Sequence, residues 1–320
     1  MSSPTDRLAY LNNNFTQPCS EAAKLLATDL QKKYEGSSVL LYGSAGSVLS
    51  DADATDVLFD FYVIVPSYRV AYRSSLLRLA NILIPPNVFY HSMETPKGLL
   101  RTKYAVLSLP HFEKLVSQQT FHSYFWARFA QPFKIVVFSE SDLNRLVAAA
   151  ATAIDTFTRR AAPLSVEKSD ENSIDEKSLN RRLIDRIWQA GLSRSYKAEL
   201  RAEQPGRAAQ LLNSYGDWPQ KVTNSDVIRN AVWDGNVTKR ADYAWRLRAF
   251  QGGILSVLRL LKAAGTFQGG AEYITWKIQR HSGIDVPVRE WERKFPFFAA
   301  PFFAMRYYRL KANKAKTSVY

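Results

Sequence analysis

The stretch SVLLYGSAGSVLSDADATDVLFDFYVIV, residues 38–65, sets two apolar runs around a Gly-Ser turn and a cluster of aspartates. Ser38 to Tyr42 reads as a short buried strand. Val57 to Val65 reads as a second, rich in β-branched and aromatic residues. Asp60 interrupts that second run. A carboxylate inside an apolar strand is costly unless it is paired or holds a cation. This segment therefore demands a sheet in which one strand is buried along most of its length yet presents an acid at one point.

The rest of the first half supports such a sheet. Residues 19–35 carry apolar side chains at helical spacing, with lysines in the last turns and Gly36 directly after, so a helix is expected to end there. Tyr68 to Leu83 reads as a helix stopped by Pro85 and Pro86. Val88 to Tyr90 and Tyr104 to Leu109 read as strands, Pro110 to Phe129 as a helix and Lys134 to Phe138 as a strand. From Asp142 the pattern is helical, first over 142–160. After a polar stretch at 166–178 (VEKSDENSIDEKS), helices are expected at 178–191, 205–214, 222–233, 239–263 and 267–281. The expected class is α+β: a mixed sheet with helices over residues 1–165, a helical unit over 178–290, and a tail over 291–320.

Composition limits the chemistry. At 46% hydrophobic residues, the 320-residue chain can bury a substantial core. Its single cysteine, Cys19, excludes an internal disulfide and a cysteine-based zinc cluster, and His91, His111, His122 and His281 lack metal-ligand spacing. Carboxylates, bases and hydroxyls are left to carry any reaction. The formal charge of +14 suits a polyanionic partner, whether nucleic acid, an anionic membrane surface or a phosphorylated substrate. No apolar stretch reaches the length of a membrane span, and the N-terminus reads as neither a signal nor a transit peptide.

A strand, a Gly-Ser turn and an acid-bearing strand is the plan of a nucleotidyltransferase. Glycine lets the backbone approach phosphate oxygens, and amides with a serine hydroxyl cradle a triphosphate. Carboxylates on the next strand hold Mg²⁺, which offsets the charge of departing pyrophosphate. Asp60 is the first metal candidate and Asp56 the second, with the loop pair Asp51 and Asp53 third. Two residues before Asp60, where a second acid would share its strand face, stands Leu58.

Further blocks follow the turn: RTKYAVLSLPHFEKLVSQQTFHSYFWARFAQPFKIV at 101–136 and SRSYKAELRAEQPGRAAQLL at 193–212. Together with YGSAGS and VLFDFYVIV, they resemble the mitochondrial-type CDP-diacylglycerol synthases, the translocator assembly and maintenance family of phosphatidate cytidylyltransferases. The resemblance places Tyr42, Gly43 and Ser44 in the triphosphate loop and Asp60 at the metal-binding position. Lys103 and Tyr104 match a KYG element, and Arg128 and Pro132 match GR-x-x-KP. Ser195, Tyr196 and Arg201 match SY-x-x-D-x-R, with Glu199 in place of its Asp and Lys197 inside the block. It implies nucleotide binding by Tyr42, Gly43, Ser44, Lys103 and Arg128, and catalytic roles for Asp60, Lys197 and Arg201. It also implies a nucleotidyltransferase domain followed by a winged-helix-like one, and Mg²⁺-dependent transfer from CTP to phosphatidate. Pro66 and Ser67 stand where the family carries acids, and Ala127 and Gln131 replace its Gly and Lys.

The C-terminal segment REWERKFPFFAAPFFAMRYYRLKANKAK has no acid after Glu292. Phe297, Phe298, Phe302 and Phe303, followed by Arg306 and Arg309, read as an interfacial anchor for anionic lipid. The expectation is a cytoplasmic enzyme, peripheral on the inner face of a membrane, with nucleic acid not the expected partner. Two alternatives stay open. One is nucleotidyl transfer to another phospholipid or to RNA; the other is an inactive nucleotidyltransferase fold that only binds anionic lipid or nucleic acid.

Overall fold

The computed structural model describes residues 4–43, 51–165, 176–199, 206–230, 234–266 and 289–294, with 287, 302, 305, 306, 309 and 310. Five strands form one mixed sheet: β1 (Ser38–Tyr42), β2 (Leu58–Val65), β3 (Asn87–Thr95), β4 (Gly98–Ser108) and β5 (Lys134–Val137). Their order is β3-β4-β2-β1-β5, with β2 and β4 parallel and the other pairs antiparallel. The mixed α+β class expected from sequence is therefore present.

Alternation of side chains divides the strands between two cores. Val39, Leu41, Phe59, Phe61, Val63 and Val106 face α2 (Glu21–Lys33), which brings Ala23, Leu26, Ala27 and Leu30. Ser20 caps α2 by accepting from the Ala23 amide at 3.3 Å, and Lys32 and Lys33 sit in its last turn, where they complement the helix dipole. On the opposite face Leu40, Tyr62, Ile64, Ala105 and Leu107 meet α5 (Leu109–Val116), α6 (Trp126–Phe129) and the alanine-rich α7 (Glu140–Ala161). Burial on both faces explains why β2 is an almost unbroken apolar run. Helix α1 (Pro4–Phe15), which the sequence reading did not anticipate, adds Leu11 and Phe15 to this second core.

The later helices pack onto the same core. α8 (Glu176–Ala198) contributes Ile184, Ile187, Trp188 and Leu192, α10 (Trp218–Val222) contributes Trp218, and α12 (Gly235–Thr266) contributes Trp245. Trp188 and Trp245 are fully buried. Each such ring is worth about 2–3 kcal/mol of apolar transfer. α9 (Arg207–Ser214) and α11 (Ser225–Arg229) lie between α8 and α12 in the chain, and α13 (Glu290–Lys294) follows α12. The expected helix at 267–281 lies outside the described residues.

Two expected helices are interrupted. The one expected over 68–83 splits into α3 (Tyr68–Ala71) and α4 (Ser75–Leu83), because Tyr72 is extended and Ser74 starts a new helix by accepting from the Leu77 amide at 3.4 Å. The one expected over 110–129 splits into α5 and α6. There the hydroxyls of Ser117 and Thr120 both donate to the Lys114 carbonyl at 2.8 Å, diverting an acceptor that helix continuation would use. Apolar periodicity persists through both breaks, so it does not mark them.

Candidate functional site

The register of β1, β2 and β4 builds the site. Tyr42 pairs with Asp60, and Asp60 with Lys103, so residues 60 and 103, 43 positions apart in sequence, become neighbours on parallel strands. Lys103 Nζ lies 2.8 Å from Asp60 Oδ1, and the two side chains are 40% and 36% exposed. Asp60 therefore has an ion-pair partner and contact with solvent, which is how the strand tolerates it. The next row inward, Leu40, Tyr62 and Ala105, belongs to the core. The Tyr42–Asp60–Lys103 row thus lies where the α5–α7 face of the sheet opens to solvent.

Gly43 directly follows β1 with φ +86°. A Cβ at that position would sit 3.8 Å from Asp60 Oδ2, so the turn leaves the strand alongside the carboxylate. The positive φ is the region that favours glycine. Ser44 lies outside the described residues, as do the side chains of Asp51 and Asp53. Asp56 is exposed at the end of the 3-10 turn Asp51–Asp56, two residues ahead of β2.

Arg128, on α6, reaches the same end of the sheet. Its Nη1 donates to the Tyr62 hydroxyl at 3.1 Å and its Nη2 to Glu199 Oε2 at 2.9 Å. The guanidinium carbon lies 5.1 Å from the Tyr42 ring centre and 4.4 Å from that of Tyr124. Burial alone would lower the Arg128 pKa, but Tyr124, Tyr62, Glu199 and Tyr42 together raise it, so the guanidinium stays charged. Burial raises the Tyr62 pKa, with the Arg128 charge opposing it, so the hydroxyl stays protonated.

Other residues of the matched blocks separate from this cluster. Tyr104 belongs to the α2-side core and shares a 3.3 Å hydroxyl contact with Tyr34. Ser195 is buried and donates to the Leu192 carbonyl at 2.9 Å. The Tyr196 hydroxyl reaches Gln131 Oε1 at 3.4 Å. Lys197 is exposed near the end of α8, two residues before Glu199. Arg201, Phe297, Phe298 and Phe303 lie outside the described residues. Of the tail, Phe302 is exposed with its ring centre 5.7 Å from that of Trp291, Arg309 is exposed, and Arg306 pairs with buried Glu292.

Arg259 is not among the residues expected from sequence, and His122 has no role assigned there. Arg259 comes from α12, stacks 3.9 Å over the Tyr124 ring and donates to the Pro85 carbonyl at 2.8 Å. Burial pushes His122 down to about 4, with the charge of Arg259 and His111 adding to the effect, so it is neutral at physiological pH. Nothing local distinguishes Arg259 from the other cations of its helix. Helix packing alone selects it.

Among the described residues no three His, Cys, Asp or Glu side chains converge on one point. Mg²⁺, however, is held by one or two carboxylates, with substrate phosphates and waters completing its shell. A solvent-reached Asp60 with one oxygen beside Gly43 fits that requirement. No protein-family model matches this chain, and no curated protein matches its sequence.

Proposed function

We propose that the chain is a nucleotidyltransferase that moves CMP from CTP to phosphatidate at a membrane surface, as the resemblance implies. The observation that carries this reading is the row of Tyr42, Asp60 and Lys103 beside the positive-φ Gly43. Glycine admits phosphate to the backbone, Lys103 supplies a cation for its oxygens, and Asp60 would hold Mg²⁺, with Asp56 the second candidate. When bound, Mg²⁺ would supply charge compensation for the triphosphate and the departing pyrophosphate.

The attacking group is a phosphate oxygen of phosphatidate, already anionic near neutral pH, so no strong general base is required. It forms a bond to the α-phosphorus of CTP. The bond from that phosphorus to the oxygen bridging toward the β-phosphorus breaks, and pyrophosphate leaves with the electron pair. Lys103 orients phosphate oxygens, while Arg128, fixed by Glu199 and Tyr62, holds the Tyr42 ring. Positioning and electrostatics account for the catalysis.

A second reading, a binding module without turnover, is favoured by the ion pair itself, because Lys103 already occupies one oxygen of the lone acid in the row. Labelled CTP, Mg²⁺ and phosphatidate vesicles separate the two by pyrophosphate release. The first reading expects lipid-dependent release that Asp60→Asn abolishes, with folding retained at a cost under about 1 kcal/mol for losing a half-exposed pair. Wild-type activity in Asp60→Asn would remove Asp60 from the site. Absence of turnover with any acceptor, RNA included, would leave the binding module.

A further inference from the structure

Helix α4 (Ser75–Leu83) turns Asn81 inward, beside Leu77, which packs on the α2-side core. Asn81 is fully buried, and its side-chain nitrogen donates to the Val106 carbonyl at 2.8 Å and the Tyr72 hydroxyl at 3.2 Å. Its oxygen accepts from the Asn87 amide at 2.7 Å. That pinning turns Leu76, Leu79, Ile82 and Leu83 to the outside, where they are 75%, 51%, 52% and 66% exposed. Positions 76, 79, 82 and 83 recur at helical spacing, so they form one stripe. Val70, just upstream on α3, is 60% exposed.

The stretch of chain that carries the stripe has charge of one sign. Between Pro66 and Met93 the chain carries Arg69, Arg73 and Arg78 and no acidic residue. Arg69 and Arg73 are exposed, and Arg78 is held by the Arg73 carbonyl and Ser75 hydroxyl, each at 3.1 Å. From the far side, Arg259 and Lys262 of α12 reach the carbonyls of Ile84, Pro85 and Pro86, the turn leaving α4. An apolar face whose own stretch of chain, residues 66–93, carries arginines and no acid is complementary to acyl chains beneath anionic headgroups.

We infer that α4, with the preceding Arg69–Arg73 segment, is a docking element for an anionic lipid bilayer: Leu76, Leu79, Ile82 and Leu83 enter the headgroup–acyl boundary and the arginines meet lipid phosphates. The inference extends the proposed lipid-phosphate reaction, but its test does not require turnover. It also gives the bilayer a contact on the sheet-bearing half of the chain, distant in sequence from the C-terminal phenylalanines.

The test uses the full-length chain and vesicles of phosphatidylcholine alone or with about one-third phosphatidate or phosphatidylglycerol. Leu79→Ser with Ile82→Ser is expected to weaken partitioning onto anionic vesicles at least tenfold at both low and high salt. Arg69→Gln with Arg73→Gln is expected to weaken it several-fold at low salt and little at high salt. A Leu79→Cys label in a Cys19→Ser background is expected to blue-shift on anionic vesicles. Unchanged partitioning with no spectral shift overturns the proposal. So does a lowered lipid-free melting temperature for Leu79→Ser/Ile82→Ser, which would mean another segment covers the face, or a changed oligomeric state, which would mean a second copy does. CTP turnover is scored separately on a water-soluble short-chain phosphatidate. Its absence defeats the proposed reaction and leaves docking standing, while turnover with lipid binding unmoved by the α4 variants does the reverse.

Discussion

Replacing Arg128 with Met tests whether the cation beside Tyr42 is fixed by its surroundings. The Arg128 and Glu199 side chains are 12% and 11% exposed and 2.9 Å apart. Removing one partner of a buried pair costs about 3–5 kcal/mol, here lessened because the Arg259 charge also acts on Glu199. The Tyr62 hydroxyl loses a donor and the Tyr42 and Tyr124 rings lose their cation, while the Met side chain restores part of the packing. A net destabilisation of about 4 kcal/mol follows. Adding Glu199→Gln removes the carboxylate that has lost its closest cation and is expected to return about 2–3 kcal/mol, so the two substitutions should be strongly non-additive. Urea unfolding followed by circular dichroism, with unchanged m-values, reads both numbers. A loss below about 1 kcal/mol for Arg128→Met, or simple additivity, would refute the buried-pair account, since that is the behaviour of an exposed pair. Arg128 would then be free to serve a ligand rather than the frame of the site.

Gly252→Ala should destabilise by about 3 kcal/mol, although alanine is the better helix former, because a Cβ there would overlap the Ala198 carbonyl of α8. The same substitution should disturb Glu199, the residue that follows, and thermal melts together with proteolysis near residue 199 would register it. His122 gives a pH signature. Its folded pKa of about 4 lies below the ordinary 6.5, so the unfolded chain binds the proton more readily. Stability is fully present above about 6.5 and is lost as pH falls toward 4, by at most about 3 kcal/mol. Denaturation curves across that window should flatten in His122→Gln relative to wild type, and a parallel dependence in both proteins would exclude His122 as the source.

Much of the local design is legible in the linear chain. The run from Val57 to Val65 announces a strand buried on both faces, and Gly43 after Tyr42 announces a turn that β-carbon sterics reserve for glycine. Asp60 stands out because no apolar strand carries a charge without a partner. Ser20, Lys32 and Lys33 bound α2 by capping and dipole effects that act within a turn. The breaks at Ser74 and Ser117 are not legible, because a hydroxyl can cap or divert a helix without altering the apolar period.

Which partner Asp60 has was decided by the fold. Lys103 reaches it only through parallel pairing of β2 with β4, and no local signal specifies that register. The Arg128–Glu199 pair spans 71 positions, and Arg259 joins it from a helix later still. The outward stripe of α4 is a further case. A helix is expected there from sequence, but it is Asn81, anchored to Val106 and Tyr72, with Leu77 on the core, that turns the leucine face outward. Capping, turn sterics and side-chain alternation act over a few residues and are written in the chain. Register, buried charge pairing and the choice of which face is covered depend on segments far apart in sequence, so tertiary packing decides them.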